Sequence, residues 1–199
     1  MIGSDDEAGE NVMNQQQTFE NYKETLRQLI IRKAYFREKI TLSSGKTSDY
    51  YIDARRVTLY SEGAFLCARL ILDLLKETPF DAIGGPTLGA DPMIGAINCL
   101  SHQAGKPLNT FIIRKTPKAH GKQQQVEGPL LDKGSRVVLI DDVATTGAAF
   151  VHSMDVLRSM DIKVVKAVCI VDRQEGAKEA VAKSGSQMLA LFNVSEIHL

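Results

Sequence analysis

Two acids and a cluster of small hydroxyl residues adjoin in Val137-Val138-Leu139-Ile140-Asp141-Asp142-Val143-Ala144-Thr145-Thr146-Gly147-Ala148-Ala149. The four apolar residues before the acids have the composition of a buried central strand. Both carboxylates then fall at the strand's carboxyl end, where open α/β sheets place their ligands. A short turn follows and a helix starts at once. Its unpaired first amides face the same place, and Thr145 and Thr146 add hydroxyl donors. Gly147 lets the backbone approach a ligand closely. An anion cradle beside two carboxylates suits a ligand with hydroxyls next to its phosphate, that is, a sugar phosphate. The plainer alternative is a helix cap with two solvated aspartates. Strand, turn and helix agree with one another here, which favours the sugar phosphate.

A second group is Arg114-Lys115-Thr116-Pro117-Lys118-Ala119-His120-Gly121. A charge run is usually a solvated face. This one lies in a stretch with no acid between Asp91 and Glu127, where Lys106, Arg114, Lys115, Lys118 and Lys122 have no neighbouring acid in sequence. A basic loop closing over a phosphate cradle would expel water and stabilise negative charge on a departing diphosphate. A third group, Asp172-Arg173-Gln174-Glu175-Gly176, ends an apolar run. Its arginine is either a salt-bridged strand terminus or a fork for a substrate carboxylate.

Some patterns lead nowhere. Gly45-Lys46-Thr47 looks like the end of a Walker A loop, but the required earlier glycine position, 40, is Ile. No GxGxxG follows a strand. His102, His152 and His198 are isolated and read as structural. Cys67, Cys99 and Cys169 form no CxxC pair, which excludes a zinc ribbon and predicts free, buried thiols.

The elements that must position these groups follow from periodicity. Tyr22, Leu26, Leu29, Ile30 and Lys33 predict a helix from Phe19 to about Tyr35. A second helix is expected from about Glu62 to Lys76, with Ser61 as its N-cap. Strands are expected at Ala82-Ile83, 109–113, 136–140, 164–171 and 188–192, with helices near 90–104, 148–160 and 175–183. That alternation indicates βαβ units and a parallel sheet. Residues 115–129 read as a loop longer than a compact domain usually carries, which points to function. Residues 1–17 are polar, with four acids and no base, and are expected to be a disordered tail.

Composition bounds the rest. The chain has 199 residues, enough for a single domain over 18–199. Lys+Arg and Asp+Glu are each 24, which disfavours a strongly basic nucleic-acid binder and an acidic disordered protein. No apolar run approaches the ~20 residues that span a bilayer, and the N-terminus lacks a signal peptide's pattern, so a cytoplasmic location with no membrane partner is expected.

The first motif resembles the phosphoribosyl-diphosphate motif of the type I phosphoribosyltransferases. The resemblance implies that Asp141 and Asp142 hold the ribose hydroxyls and that Val143, Ala144, Thr145, Thr146, Gly147, Ala148 and Ala149 form the 5′-phosphate loop. The pattern Arg114-Lys115-x-x-Lys118-x-His120-Gly121 resembles the mobile catalytic loop of orotate phosphoribosyltransferases. Asp172-Arg173-Gln174-Glu175 resembles their segment in which the arginine meets the orotate carboxylate. Phe36 to Asp53 resembles the family's N-terminal hood, in which Ser44-Gly45-x-x-Ser48 and the pair Tyr50 and Tyr51 border the orotate site; half-buried strand residues are an equal reading of each Tyr. The sequence departs from many bacterial members at Ser43, where they carry Lys, and at Leu88-Gly89, where they carry a Tyr-Lys pair. Gly84-Gly85-Pro86-Thr87-Leu88-Gly89-Ala90-Asp91 still fits a diphosphate-side loop, since its glycines open backbone amides to an anion.

The resemblance spans roughly residues 19–195. It implies an α/β fold with a central, mostly parallel sheet flanked by helices, a hood over about 36–53 and a core over about 61–195. The implied reaction joins orotate and 5-phosphoribosyl 1-diphosphate to give orotidine 5′-monophosphate and diphosphate. Arg114, Lys115, Lys118 and His120 would neutralise the leaving group, with Lys118 or His120 as proton donor. Asp141 and Asp142 would act at the ribose, and Arg173 and Thr145 would orient orotate. Mg²⁺ is implied, held mainly by the diphosphate substrate rather than by direct protein ligands. A homodimer is implied, because in family members the basic loop reaches the neighbouring subunit's site. Two rivals are disfavoured: a purine phosphoribosyltransferase by Arg173 and the basic loop, and a nucleic-acid-binding regulator by the lack of an added module.

Overall fold

The structure, a computed structural model, describes residues 4–41, 47–117 and 125–198, with side chains described from Gln16 onward. Lys118, His120 and Ser43 therefore lie outside the described residues. In chain order the elements are α1 (Ser4–Lys33), β1 (Tyr35–Phe36), β2 (Ile40–Thr41), β3 (Thr47–Ser48), β4 (Tyr51–Ile52), α2 (Arg55–Thr58), α3 (Ser61–Leu74), β5 (Ala82–Pro86), α4 (Asp91–Gln103), β6 (Asn109–Ile113), β7 (Val126–Glu127), β8 (Arg136–Ala144), α5 (Ala148–Arg158), β9 (Lys163–Asp172), α6 (Ala177–Lys183) and β10 (Gln187–Asn193), with a closing 3₁₀ turn at Val194–Glu196.

Six strands form one sheet in the order β10-β9-β8-β5-β6-β7. Every pairing in it is parallel except β6 with β7. The α/β fold with a mostly parallel sheet is as expected. Strand β8 alternates its burial between the two faces of the sheet. Val138 and Ile140 join Leu26, Leu70, Ile71 and Met93 on the α1, α3 and α4 side. Val137 and Leu139 join Phe150, Met154, Leu157 and Val181 on the α5 and α6 side. Helices on both faces leave β8 buried, and its Val/Leu/Ile run is what double burial demands. From β5 the sheet grows through β6 one way and through β8 the other. This is the reversal of strand order at which such sheets open a crevice for ligands. The hood consists of two antiparallel pairs, β1 with β4 and β2 with β3.

Several boundaries differ from expectation. Helix α1 begins at Ser4, so residues 4–17 are helical rather than an unstructured tail. Extending an existing helix avoids the nucleation cost of starting one. Ser61 is the first residue of α3, not its cap. Tyr60 takes the cap position and gives no side-chain hydrogen bond. Strand β8 runs through both acids to Ala144 instead of stopping at Ile140. The expected long loop contains β7, paired antiparallel with β6. Among the cysteines, Cys67 and Cys169 are buried and Cys99 is exposed, a correction for the third. Burial pushes the Cys67 and Cys169 thiols up, which leaves them unreactive. No helix among the described residues is long and apolar enough to cross a membrane.

Candidate active site

A cleft of about 750 Å³ opens at the carboxyl ends of β5, β6 and β8. Asp141, Asp142, Arg114, Lys115, Val143 and Ala149 line it, together with Tyr51. Acids, cations and the first turn of α5, singled out separately in sequence, thus share one cavity.

The two carboxylates are held by backbone next to them. Asp141 Oδ1 accepts from the Asp142 amide at 2.9 Å, and Asp142 Oδ1 accepts from the Val143 amide at 2.7 Å. Burial raises the Asp141 carboxyl well above its ordinary range, and the neighbouring Asp142 charge adds to this. Burial raises Asp142 as well, opposed by its hydrogen bonds and by Arg55. A pair of poorly solvated acids is primed for hydroxyl donors or a cation. No cluster of three or more His, Cys, Asp or Glu suited to a metal occurs among the described residues.

Beyond the acids, Gly147 has φ 80° and starts α5 from the left-handed region. Its role is thus mainly conformational, and a Cβ there would lie 3.0 Å from Ala177 Cα. The amides preceding Val151 have no intrahelical partner, since the first helical bond runs from Val151 N to Gly147 O. Thr145, Thr146 and Gly147 form the bend into α5, and Ala148 is its exposed first residue. Ala144 is buried, and its carbonyl accepts from Arg173 N at 2.9 Å, so its side chain cannot reach a ligand.

On the cationic wall, Arg114 Nη1 lies 3.4 Å from Glu127 Oε1, while Arg114 Nε is buried with no partner. Such a donor suits an anionic acceptor brought by a ligand.

Arg173 and Tyr50 are not among the residues lining this cleft. They form an adjoining cluster under the hood. Arg173 is 6% exposed, its Nε donates to Glu175 Oε1 at 2.8 Å, and its Nη2 donates to Ser48 Oγ at 3.2 Å. Its guanidinium carbon lies 4.6 Å from the centroid of the Tyr50 ring. Tyr50 in turn stacks on Tyr35 and packs against His198. The two sequence readings of Arg173, salt bridge and fork, are compatible, because Glu175 takes Nε and Nη1 has no hydrogen-bond partner among the described residues. Asp172 is structural: its Oδ1 accepts from Gln174 N at 2.8 Å and shapes the turn.

Three contributors were not read from the sequence: Arg55, His152 and Gln125. Gly89, within the Gly84–Asp91 segment, lies against both acids. Arg55, paired with Asp53 at 3.1 Å, lines the cleft. His152, read as isolated, lines it too, and Gln125 bonds to His152. Helical spacing could have found His152, which stands three residues after Ala149. Gly84 and Gly85, read as opening amides to an anion, are buried in β5. A Cβ on Gly84 would lie 2.1 Å from Phe111 O, and one on Gly85 2.0 Å from Ile140 O. Sheet packing, not ligand approach, demands glycine there.

The family model for the phosphoribosyl transferase domain matches residues 59–196. An orotate phosphoribosyltransferase of Streptomyces coelicolor is 44% identical over 175 residues, covering 87% of this chain and 96% of that protein. Another, from Aquifex aeolicus, is 41% identical over 156 residues, covering 78% of this chain and 85% of that protein. The chain belongs to the orotate phosphoribosyltransferases. In structure it is similar to the Mycobacterium tuberculosis orotate phosphoribosyltransferase solved in complex with 5-phospho-alpha-D-ribosyl 1-diphosphate. The TM-score is 0.74 at 31% identity, covering 89% of this chain and 99% of that one. This family membership accords with the cleft at the strand-order reversal and with an acidic pair on its central strand.

Proposed function

We propose that this chain transfers the 5-phosphoribosyl group from 5-phosphoribosyl 1-diphosphate to orotate, giving orotidine 5′-monophosphate and diphosphate in pyrimidine biosynthesis. The observation that carries this is the meeting, in one cleft, of Asp141 and Asp142, the Ala149 end of α5, and Arg114 with Lys115.

In this reading the 5′-phosphate sits on the turn between Val143 and Ala149, held by the unpaired amides at the start of α5 and the hydroxyls of Thr145 and Thr146, and Asp141 and Asp142 accept hydrogen bonds from the ribose hydroxyls. The C1–oxygen bond to diphosphate breaks as a ring nitrogen of orotate bonds to C1. Positive charge that builds on the ribose ring is stabilised by the nearby carboxylates. Arg114 and Lys115, with Lys118 and His120 from the basic segment, neutralise the diphosphate, and Lys118 or His120 gives it a proton. Arg173 holds the orotate carboxylate through its Nη1 edge, with Thr145, Tyr50 and Tyr51 bordering the ring.

The site suits Mg²⁺ held mainly by substrate. Two poorly solvated carboxylates, with no third acidic or histidine ligand clustered with them among the described residues, match a cation that keeps few protein ligands. Asp141 and Asp142 are the residues beside which it would lie, and it would neutralise charge on the diphosphate. A homodimer is part of this reading. Leu59, Tyr60 and Leu88 are exposed and share a pocket next to the cleft, an apolar surface suited to a second copy. We place the enzyme in the cytoplasm, with no nucleic acid or membrane partner.

The test is direct. Protein, Mg²⁺, phosphoribosyl diphosphate and orotate together should deplete orotate absorbance with release of diphosphate. No depletion with orotate, but turnover with adenine, guanine or hypoxanthine, would replace the reading with a purine enzyme.

A further inference from the structure

The side chain of Gln125 joins three parts of the cleft wall. Its Nε2 donates to the carbonyl of Arg114 at 2.9 Å and to that of Lys115 at 3.3 Å, and lies 2.8 Å from His152 Nε2. The Arg114 amide donates back to Gln125 O at 2.8 Å, which continues the β6–β7 ladder by one more step. Gln125 therefore ties the end of β6, where two cations enter the cleft, to the first half of α5, where the amide cradle lies.

The hydrogen bonding leaves no freedom in how this junction is protonated. Two carbonyl oxygens face the Gln125 amide, and carbonyls only accept, so the NH₂ end must point at them. An amide nitrogen has no available lone pair. His152 Nε2 must then be the acceptor, and the imidazole must carry its proton on Nδ1. One amide proton serves His152, and the other is shared by the two carbonyls.

Resting on the proposed reaction, we infer that Gln125 and His152 are positioning residues for the diphosphate side of the site. They hold the backbone of Arg114 and Lys115 at a set distance from α5. Arg114 Nε is buried without a partner on that wall, so its placement governs how well it meets an anion. Among the described residues no hydrogen bond joins the pair to the cluster of Arg173, Ser48 and Tyr50, so its influence should fall on one substrate and not on the other.

The experiment has two arms. Imidazole nitrogen NMR on the whole protein reads the tautomer without any turnover. His152 is expected as the Nδ1–H form in the wild type and as the Nε2–H form, which water favours, in Gln125→Ala. Steady-state kinetics then compare Gln125→Ala, His152→Leu, their double variant and His152→Gln. Gln125→Ala should raise the KM for phosphoribosyl diphosphate about fivefold, the factor equivalent to one net neutral hydrogen bond. The KM for orotate should hold. The double variant should be no worse than either single one, and His152→Gln, which restores an acceptor oxygen, should recover more than His152→Leu. An Nε2–H wild-type histidine overturns the proposal, as do equal effects on both substrates or additive losses. If the wild type turns over no orotate, the reaction fails, and the tautomer still decides whether the junction exists.

Discussion

Gly89 lies so close to Asp141 that a Cβ on it would stand 2.2 Å from Asp141 Oδ1, and 2.6 Å from Asp142 Oδ1 as well. The lack of a side chain at Gly89 leaves room for both carboxylates to lean toward the β5–α4 turn. Gly89→Ala should fold normally, because the clashing atoms are the ends of side chains that can rotate away. Turnover should fall about tenfold as the acids lose their orientation, equivalent to about 1.4 kcal/mol in the transition state. Thermal melting alongside kcat/KM separates the two effects, and an unchanged kcat/KM would show that the carboxylates work equally well displaced.

Asp141 predicts a pH dependence of opposite sign to an ordinary salt-bridged acid. Its folded-state pKa is raised above the usual 3.8 by burial and then by Asp142. The fold is therefore favoured while the group is protonated, and that contribution is lost as pH rises from near 3.8 through the raised value. Asp141→Asn should raise Tm near neutral pH by about 2–4 °C, the shift that corresponds to about 1 kcal/mol at this size. The gain should shrink toward the acid end, and turnover should fall sharply. A lower Tm at neutral pH would mean that the ionised acid is well compensated in the free enzyme.

Arg173 and Glu175 form a pair whose side chains are 4% and 21% exposed. Arg173→Ala strands the glutamate and should cost about 3 kcal/mol in denaturant unfolding. It should raise the KM for orotate far more than that for phosphoribosyl diphosphate. Arg173→Met with Glu175→Gln should recover the stability without recovering orotate affinity. Equal KM effects on the two substrates would reduce Arg173 to a structural residue.

Gly147→Ala tests the start of α5. The φ of 80° disfavours any Cβ by about 1–2 kcal/mol, and that Cβ would press on Ala177 at 3.0 Å. Lower Tm and weaker binding of phosphoribosyl diphosphate should appear together, by calorimetry and titration. Unaltered binding would exclude this turn from the phosphate site.

Leu88→Arg and Leu59→Glu place charge on exposed apolar positions, 64% and 73% exposed. Sedimentation should show a dimer for the wild type and a monomer for the double variant, with loss of most turnover. A monomeric wild type with full activity would remove the partner copy from the mechanism.

Lys118→Ala should lower kcat by one or more decades, as expected when a group that stabilises developing charge is removed. Single-turnover kinetics would check that the loss lies in chemistry rather than binding.

The sequence by itself determined whatever depends on neighbours along the chain. The apolar run at 137–140 leads into two acids, a turn and a helix, and that order is local, so β8, α5 and the acidic pair were all legible. The helix–strand alternation was legible for the same reason, because burial period is a property of a short window. Element ends were less so, since β8 continues past Ile140 only because β9 is there to pair with Asp141, Val143 and Ala144. The tertiary structure alone decided the contacts between distant segments. Gly89 meets the acids across some fifty residues, Ser48 meets Arg173 across 125, and Gln125 meets His152 across 27. No spacing rule encodes these meetings. They arise from the parallel crossovers that carry chain segments back to one edge of the sheet, where each strand delivers its own end to the same crevice.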